Sequence, residues 1–181
     1  RSKSLIAVTF MLSAAAITCF AESDSALADR IEAGDRKAAL ELIQRNAAVN
    51  SAQPDGTTPL HWAVYRVDEE LVKTLLARGA KADVVNSFGS SPLAEAARVA
   101  NANLVGMLLD AGAKLDARDD LLKSTPLGWA CRWGCVELVK LYLRRGADPI
   151  EANAEPWARP WAWAEKMKHA EVLAVLREHE H

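Results

Sequence analysis

A six-residue motif recurs along this chain at an almost constant interval. It reads TPLHWA at 58–63, SPLAEA at 91–96, TPLGWA at 125–130 and RPWAWA at 159–164, so its prolines lie 33, 34 and 34 residues apart. A glycine-alanine pair recurs in phase with it, at residues 79, 112 and 146. Internal repeats of this length are typical of solenoids, in which each unit packs only on its neighbours. The period therefore predicts a row of similar stacked units.

Each unit carries the signals of two short helices. The proline suits the first turn of one helix, where its missing N–H is not needed. The glycine suits the left-handed residue that ends the other helix, and Asn46 takes this place one period earlier. The second helix is apolar at Leu71, Val72, Leu75 and Leu76, a face broad enough to need neighbours on both sides. The chain is therefore predicted to be all-α.

The segment DGTTPLHWA at 55–63, followed by Gly79-Ala80, resembles the ankyrin repeat family. The resemblance covers nearly all of residues 22–181. It implies an all-α ankyrin-repeat solenoid of about five stacked helix-turn-helix units with projecting loops. The units are expected at about 24–53, 54–86, 87–119, 120–153 and 154–181, with polar caps at both ends.

Two departures from the family pattern carry structural expectations. Val67, Ala100 and Lys168 stand where the family often has a glycine between its two helices, as at Gly34 and Gly134. We expect a tighter turn or a longer helix at these three places. The loop 119–124 has an extra residue and no glycine, so we expect it not to form the usual hairpin turn.

The first 21 residues have the form of a signal peptide. Arg1 and Lys3 precede an apolar stretch from Leu5 to Phe20, and small residues at Cys19 and Ala21 favour cleavage before Glu22. An uncleaved membrane anchor and a lipidated Cys19 are the alternatives. We therefore expect an exported protein, periplasmic or secreted, with any membrane contact made through the uncleaved signal.

Neither the composition nor the motifs indicate catalysis. The net charge of -2 offers no basic excess for nucleic acid. Phosphate loops, G-x-S-x-G and spaced metal ligands are missing from the sequence, so we expect no catalytic residue, cofactor or metal. An unrecognised hydrolase remains an alternative. The charged end at His179 and His181 is interpreted as a solvated terminus rather than a metal-binding tail.

Four other polar residues have specific interpretations. By resemblance, His61 ties neighbouring loops together through hydrogen bonds. Asp68 is expected to cap the second helix of its unit. Cys131 and Cys135 are four residues apart, and buried thiols, a disulfide, or a nucleophile or metal ligand all remain open for them.

The resemblance implies that a partner protein docks on the concave face of the stack. The two variable positions at the end of each first helix should lie there in one line: Tyr65 and Arg66, Arg98 and Val99, Arg132 and Trp133, Lys166 and Met167. Phe88 and Lys123 would join them from loops. A basic, aromatic floor of this kind favours a partner with an acidic segment, although its identity stays open, and the protein is expected to be a monomer. Ordinary solvated side chains and a secreted host-directed effector are the alternatives.

Three tryptophans lie close together near the C-terminus, and their positions in the repeat separate them. Trp161 aligns with Leu60, and Trp163 aligns with Trp62 and Trp129. Both are therefore predicted to pack within the last unit. Trp157 falls in the projecting loop and is the one of the three kept as a candidate contact.

Overall fold

The computed structural model describes residues 25–120 and 122–179. Within these ranges the chain forms ten α-helices, one short 3-10 helix and no strands, which confirms the all-α prediction. The helices come in five consecutive pairs: α1 Ala26–Glu32 and α2 Arg36–Gln44, α3 Pro59–Tyr65 and α4 Glu69–Ala77, α5 Pro92–Arg98 and α6 Ala102–Asp110, α7 Pro126–Trp133 and α8 Val136–Arg144, α9 Pro160–Lys166 and α10 Ala170–Arg177. The 3-10 helix is Pro156–Ala158. The predicted signal segment with Cys19, and His181, lie outside the described residues.

Six of the ten described helices, α2 to α7, begin at a side-chain cap. In α3, α5 and α7 a proline occupies the first turn, and the hydroxyl before it accepts a hydrogen bond from the backbone N–H three residues on, as Thr58 does from His61. In α2, α4 and α6 a carboxylate or amide has this role, whereas α8 and α10 begin without a side-chain cap. Asp68 accepts from the N–H of Leu71 at 3.0 Å, which confirms its predicted capping role.

The turn between the paired helices contains one residue in the left-handed conformation in each of the five units. Its φ is 78° at Gly34 and 70° at Gly134, and 57°, 54° and 60° at Val67, Ala100 and Lys168. The expectation of a tighter turn or a longer helix at the last three was therefore wrong. The next residue returns a backbone hydrogen bond to the helix just ended, as Asp68 does to Ala63 O at 3.1 Å. This bond and the packing of the helix pair hold the turn even without glycine.

Backbone hydrogen bonds close the projecting loops. Gln53 N donates to Thr57 O at 2.9 Å, and Asn86 N donates to Ser90 O at 3.0 Å. In the longer loop the corresponding bond encloses one more residue, because Asp119 N donates to Ser124 O at 3.1 Å. The predicted departure at 119–124 is confirmed, and Lys123 takes the left-handed conformation there with φ 49°.

The helix pairs stack in sequence order around one continuous core. The first helices pack in the row α1, α3, α5, α7, α9, and the second helices from α4 to α10 pack in a parallel row. Buried leucines such as Leu60, Leu93 and Leu127 line the row of first helices. Each fully buried leucine stabilises the fold by about 1.5–3 kcal/mol relative to exposure. The stack thereby places the ends of all the first helices side by side.

None of the helices in the described part of the chain has the length and apolar character that crossing a membrane requires.

Candidate partner-binding site

A groove runs across the ends of the first helices and the loops that precede them. Two cavities of about 270 and 260 Å³ form it, and Asn86, Phe88, Glu95 and Arg98 line both of them. The first cavity extends to Trp62 and Tyr65 on α3, and the second extends to Trp129 on α7. We call this surface the first-helix groove. The two cavities span three consecutive units, and beyond Trp129 the groove continues past Trp133 and Arg132 to Trp163 and Lys166 of the next unit.

Three large aromatic side chains along this surface are exposed. The exposed fraction is 65% for Phe88, 51% for Tyr65 and 48% for Trp133. The Tyr65 ring meets the Trp62 ring edge-on, with centroids 5.6 Å apart, so its orientation is held by the preceding turn of the same helix. These rings offer apolar surface that a partner could cover.

Arg98 lies at the centre of the groove with its charge compensated. Its Nε and Nη2 atoms donate to Glu95 Oε2 at 2.9 and 2.7 Å, and its guanidinium lies 5.4 Å from the Tyr65 ring centroid. Glu95 also accepts from Ser90 Oγ at 3.0 Å. A carboxylate from outside would have to compete with Glu95 for this arginine.

Two other predicted contact residues, Arg66 and Lys123, already bind polar groups of the protein itself. Arg66 donates from Nε to Ile31 O at 2.7 Å and from Nη2 to Glu32 O. It thus satisfies carbonyls at the end of α1, where the helix dipole favours a cation. Lys123 pairs with Asp120, with 3.0 Å between Nζ and Oδ1. The structure directs the Arg66 guanidinium towards α1 rather than into the predicted line.

Arg132 has a different environment, because tryptophans surround it. Its guanidinium carbon lies 4.3 Å from the centroid of Trp163, 5.6 Å from that of Trp129 and 5.8 Å from that of Trp133. Lys166 Nζ lies 5.2 Å from the Trp163 centroid. Within 25–120 and 122–179, neither cation has a carboxylate partner, and the buried Nε of Arg132 has no acceptor. Uncompensated positive charge on this surface is therefore concentrated at Arg132 and Lys166.

Sequence reasoning treated three residues of this surface only as packing residues. Trp62, Trp129 and Trp163 each stand three residues before a predicted contact residue, namely Tyr65, Arg132 and Lys166. Residues three apart on a helix are surface neighbours, so this spacing was a usable signal. The remaining predicted contact positions at the ends of the first helices are Val99, which is half-buried, and Met167, which is exposed.

The predicted tie through His61 is confirmed. Its Nδ1 accepts from the N–H of Thr58 at 3.2 Å, which leaves the ring proton on Nε2 to donate to Ser90 O at 3.0 Å in the next unit. Burial lowers the pKa of His61, because it disfavours the charged ring. His61 is therefore a neutral structural link between consecutive units.

Both described cysteines are free thiols, Cys131 buried and Cys135 half-buried. Of the alternatives left open for this pair, the disulfide was wrong. Burial raises the pKa of both thiols. Among the described residues no group of three or more His, Cys, Asp or Glu side chains could hold a metal ion.

The three C-terminal tryptophans divide by burial. Trp163 is buried and Trp161 is half-buried against the core, which confirms that both are packing residues, whereas Trp157 is exposed. The His179 ring contacts Val175 O at 2.9 Å through Nδ1.

Comparison with known families identifies the repeat. A family model described as "Ankyrin repeats (3 copies)" matches residues 26–119 and again 68–153. The chain belongs to the ankyrin repeat family. No curated protein matches it. Ankyrin repeats generally act as non-catalytic modules that bind other proteins, and this is the class of function that the family supports here.

Proposed function

We propose that this protein is an exported, non-catalytic ankyrin-repeat module that binds a partner protein along the first-helix groove, which corresponds to the concave face of the stack. The observation that carries the proposal is that exposed Tyr65 and Phe88 line the first cavity and exposed Trp133 stacks on Trp129, which lines the second. Exposed apolar side chains scattered singly are ordinary, whereas a row of them beside cavities marks interaction surfaces. We propose that the module is monomeric before it binds.

The composition of the groove also supports a protein partner. Aromatic residues and arginine are enriched where protein interfaces contribute most free energy. Here Arg98 contacts Tyr65, and Arg132 contacts three indole rings, so each arginine is held in place before a partner arrives. Restricting these side chains in advance lowers the entropy cost of binding.

Site-specific photocrosslinking tests which surface binds the partner. A photoreactive phenylalanine replaces Phe88 in one variant and Ile150 in the control variant. Ile150 is a matched control because it is also exposed, at 47%, but lies on a loop outside the groove. After irradiation of the producing cells, we expect a defined adduct from position 88 and none from position 150. Equal adducts from both positions, or an adduct from position 150 alone, would argue against the groove.

Export is proposed from the pattern of residues 1–21 and has its own test. Mass spectrometry of the purified protein should give Glu22 as the first residue, and fractionation should recover it from the envelope or the medium. A membrane-bound product that retains residues 1–21 would instead support an uncleaved anchor.

A further inference from the structure

We infer that Arg132 and Lys166 bind a side-chain carboxylate of the partner, and that the bound segment carries a bulky apolar residue about five or six positions from this acid. The inference rests on the proposed function and adds the chemistry and spacing of the partner.

The first step concerns how firmly Arg132 is held. Two of the three rings around it are fixed by their own hydrogen bonds. Trp163 Nε1 donates to Ser124 Oγ at 2.6 Å, and Trp129 Nε1 donates to Asp119 Oδ2 at 3.0 Å. Trp129 and Trp133 are stacked with an interplanar angle of 18°. The guanidinium is thus oriented without help from any carboxylate.

The second step concerns the charge that this arrangement leaves unbalanced. Arg132 and Lys166 both lie against the ring of Trp163, at 4.3 and 5.2 Å from its centroid. Two neighbouring cations repel each other, and partial burial of Arg132 strengthens the repulsion. The nearby cations of the groove are paired, since Arg98 has Glu95 and Lys123 has Asp120. An anion is therefore favoured at Arg132 and Lys166 and not elsewhere along the groove.

The third step selects a carboxylate as the anion. The planar guanidinium matches a carboxylate in a bidentate geometry, and such charge-assisted hydrogen bonds are among the strongest in proteins. Trp133 is exposed beside Arg132 and offers apolar surface to the stem of the acidic side chain. An aspartate or glutamate in a partner segment meets both conditions.

The fourth step gives the spacing. The cavity beside Tyr65 and Phe88 lies between α3 and α5, whereas Arg132 lies between α7 and α9, two helix spacings further along the stack. Packed helices are about 8–10 Å apart, so the two places are roughly 16–20 Å apart. An extended chain advances about 3.3 Å per residue, so five or six residues cover this distance. Because Arg98 is already neutralised by Glu95, the cavity there favours an uncharged, bulky side chain.

A peptide selection supplies probes for the test. Random 12-residue peptides displayed on phage are selected on the full chain, and the binders are synthesised with an amidated C-terminus so that any carboxylate is on a side chain. Affinity is measured by fluorescence anisotropy. We expect binders with an aspartate or glutamate whose change to the amide weakens binding at least about tenfold, since hydrogen bonds between charged groups are among the strongest. On Arg132→Gln the same change should matter less than about twofold.

Two further variants separate charge from folding. Lys166 is exposed, so Lys166→Gln should fold normally and weaken the same peptides by roughly two- to fivefold. Arg144→Gln removes an exposed arginine from α8 of the same unit and should leave binding unchanged. In the peptides, changing the apolar residue five or six positions from the acid to alanine should weaken binding to Phe88→Ala less than it weakens binding to the wild type. If Arg132→Gln does not fold, Lys166→Gln and the amide peptides decide the question.

The outcomes distinguish this inference from the proposed function. Binders that lose affinity on Phe88→Ala but need no acidic residue would overturn the inference and leave the groove in place as the binding surface. A selection without binders, or binders insensitive to Tyr65→Ala, Phe88→Ala and Trp133→Ala, would count against both.

Discussion

Trp163 and Ser124 are joined across the boundary between the last two helix pairs, with 2.6 Å between the indole Nε1 and the hydroxyl Oγ. Ser124 donates in turn to Ala158 O at 3.3 Å. Gly128 stands in the motif position that His61 occupies two units earlier, and a Cβ there would lie 2.9 Å from Ser124 Oγ. A serine-tryptophan link thus takes the place of the histidine link in this part of the stack.

Removal of the Ser124 hydroxyl should destabilise the stack. In Ser124→Ala the buried indole N–H of Trp163 loses its acceptor, which costs about 1–3 kcal/mol. Urea denaturation should show a lower midpoint with an unchanged slope. Ser87→Ala, at an exposed position in a loop, is the control and should match the wild type. Equal midpoints for the two variants would contradict a structural role for this hydrogen bond.

Trp163 should contribute more to stability than Trp161. Trp163 is 2% exposed and contacts Arg132 and Ser124, whereas Trp161 is half-buried with Arg177 5.9 Å from its centroid. Truncating a buried tryptophan to alanine costs about 3–5 kcal/mol, and less is expected at a half-exposed site. The free energy of unfolding and the hydrogen exchange of α9 and α10 measure this. A larger loss from Trp161→Ala would reverse the assignment.

The buried His61 should make stability depend on pH. Its pKa is lowered in the folded state, so below the ordinary value of 6.5 the unfolded chain binds a proton that the folded chain does not. The stabilising contribution of the neutral ring is therefore complete above about pH 6.5 and is lost as pH falls towards the lowered pKa. Urea midpoints at pH 7.5 and 5.5 should differ more for the wild type than for His61→Gln. The same pH difference in both proteins would show that His61 is not the source.

Glycine at position 67 should stabilise the protein. Val67 is exposed and holds a left-handed φ of 57°, which costs roughly 1–2 kcal/mol for a side-chain-bearing residue. Glycine avoids this strain but loses about 0.5–1 kcal/mol through the entropy of the unfolded chain. Val67→Gly should therefore raise the melting temperature, whereas Val85→Gly, at a similarly exposed valine without a positive φ, should lower it. A lower melting temperature for Val67→Gly would contradict the strain.

Most local features of the fold follow from nearby residues, which is why they could be predicted. Asp68 caps α4 and Thr58 caps α3 because a side chain reaches a backbone N–H three residues away. The turn at Val67 was predicted incorrectly because the absence of glycine suggested a different backbone. Packing of the helix pair and the bond from Asp68 N to Ala63 O outweigh the local preference of valine.

The sequence by itself determined the repeat, the helix pairs and the side-chain caps such as Thr58 and Asp68, because these depend on spacing along the chain. The tertiary structure alone decided which arginines remain available. Arg66 is bound to carbonyls of α1, Arg98 is paired with Glu95, and Arg132 is surrounded by tryptophans from its own and the next unit. The physical reason is that a long side chain can reach several partners, and the stacking offset between units decides which of them comes within bonding distance.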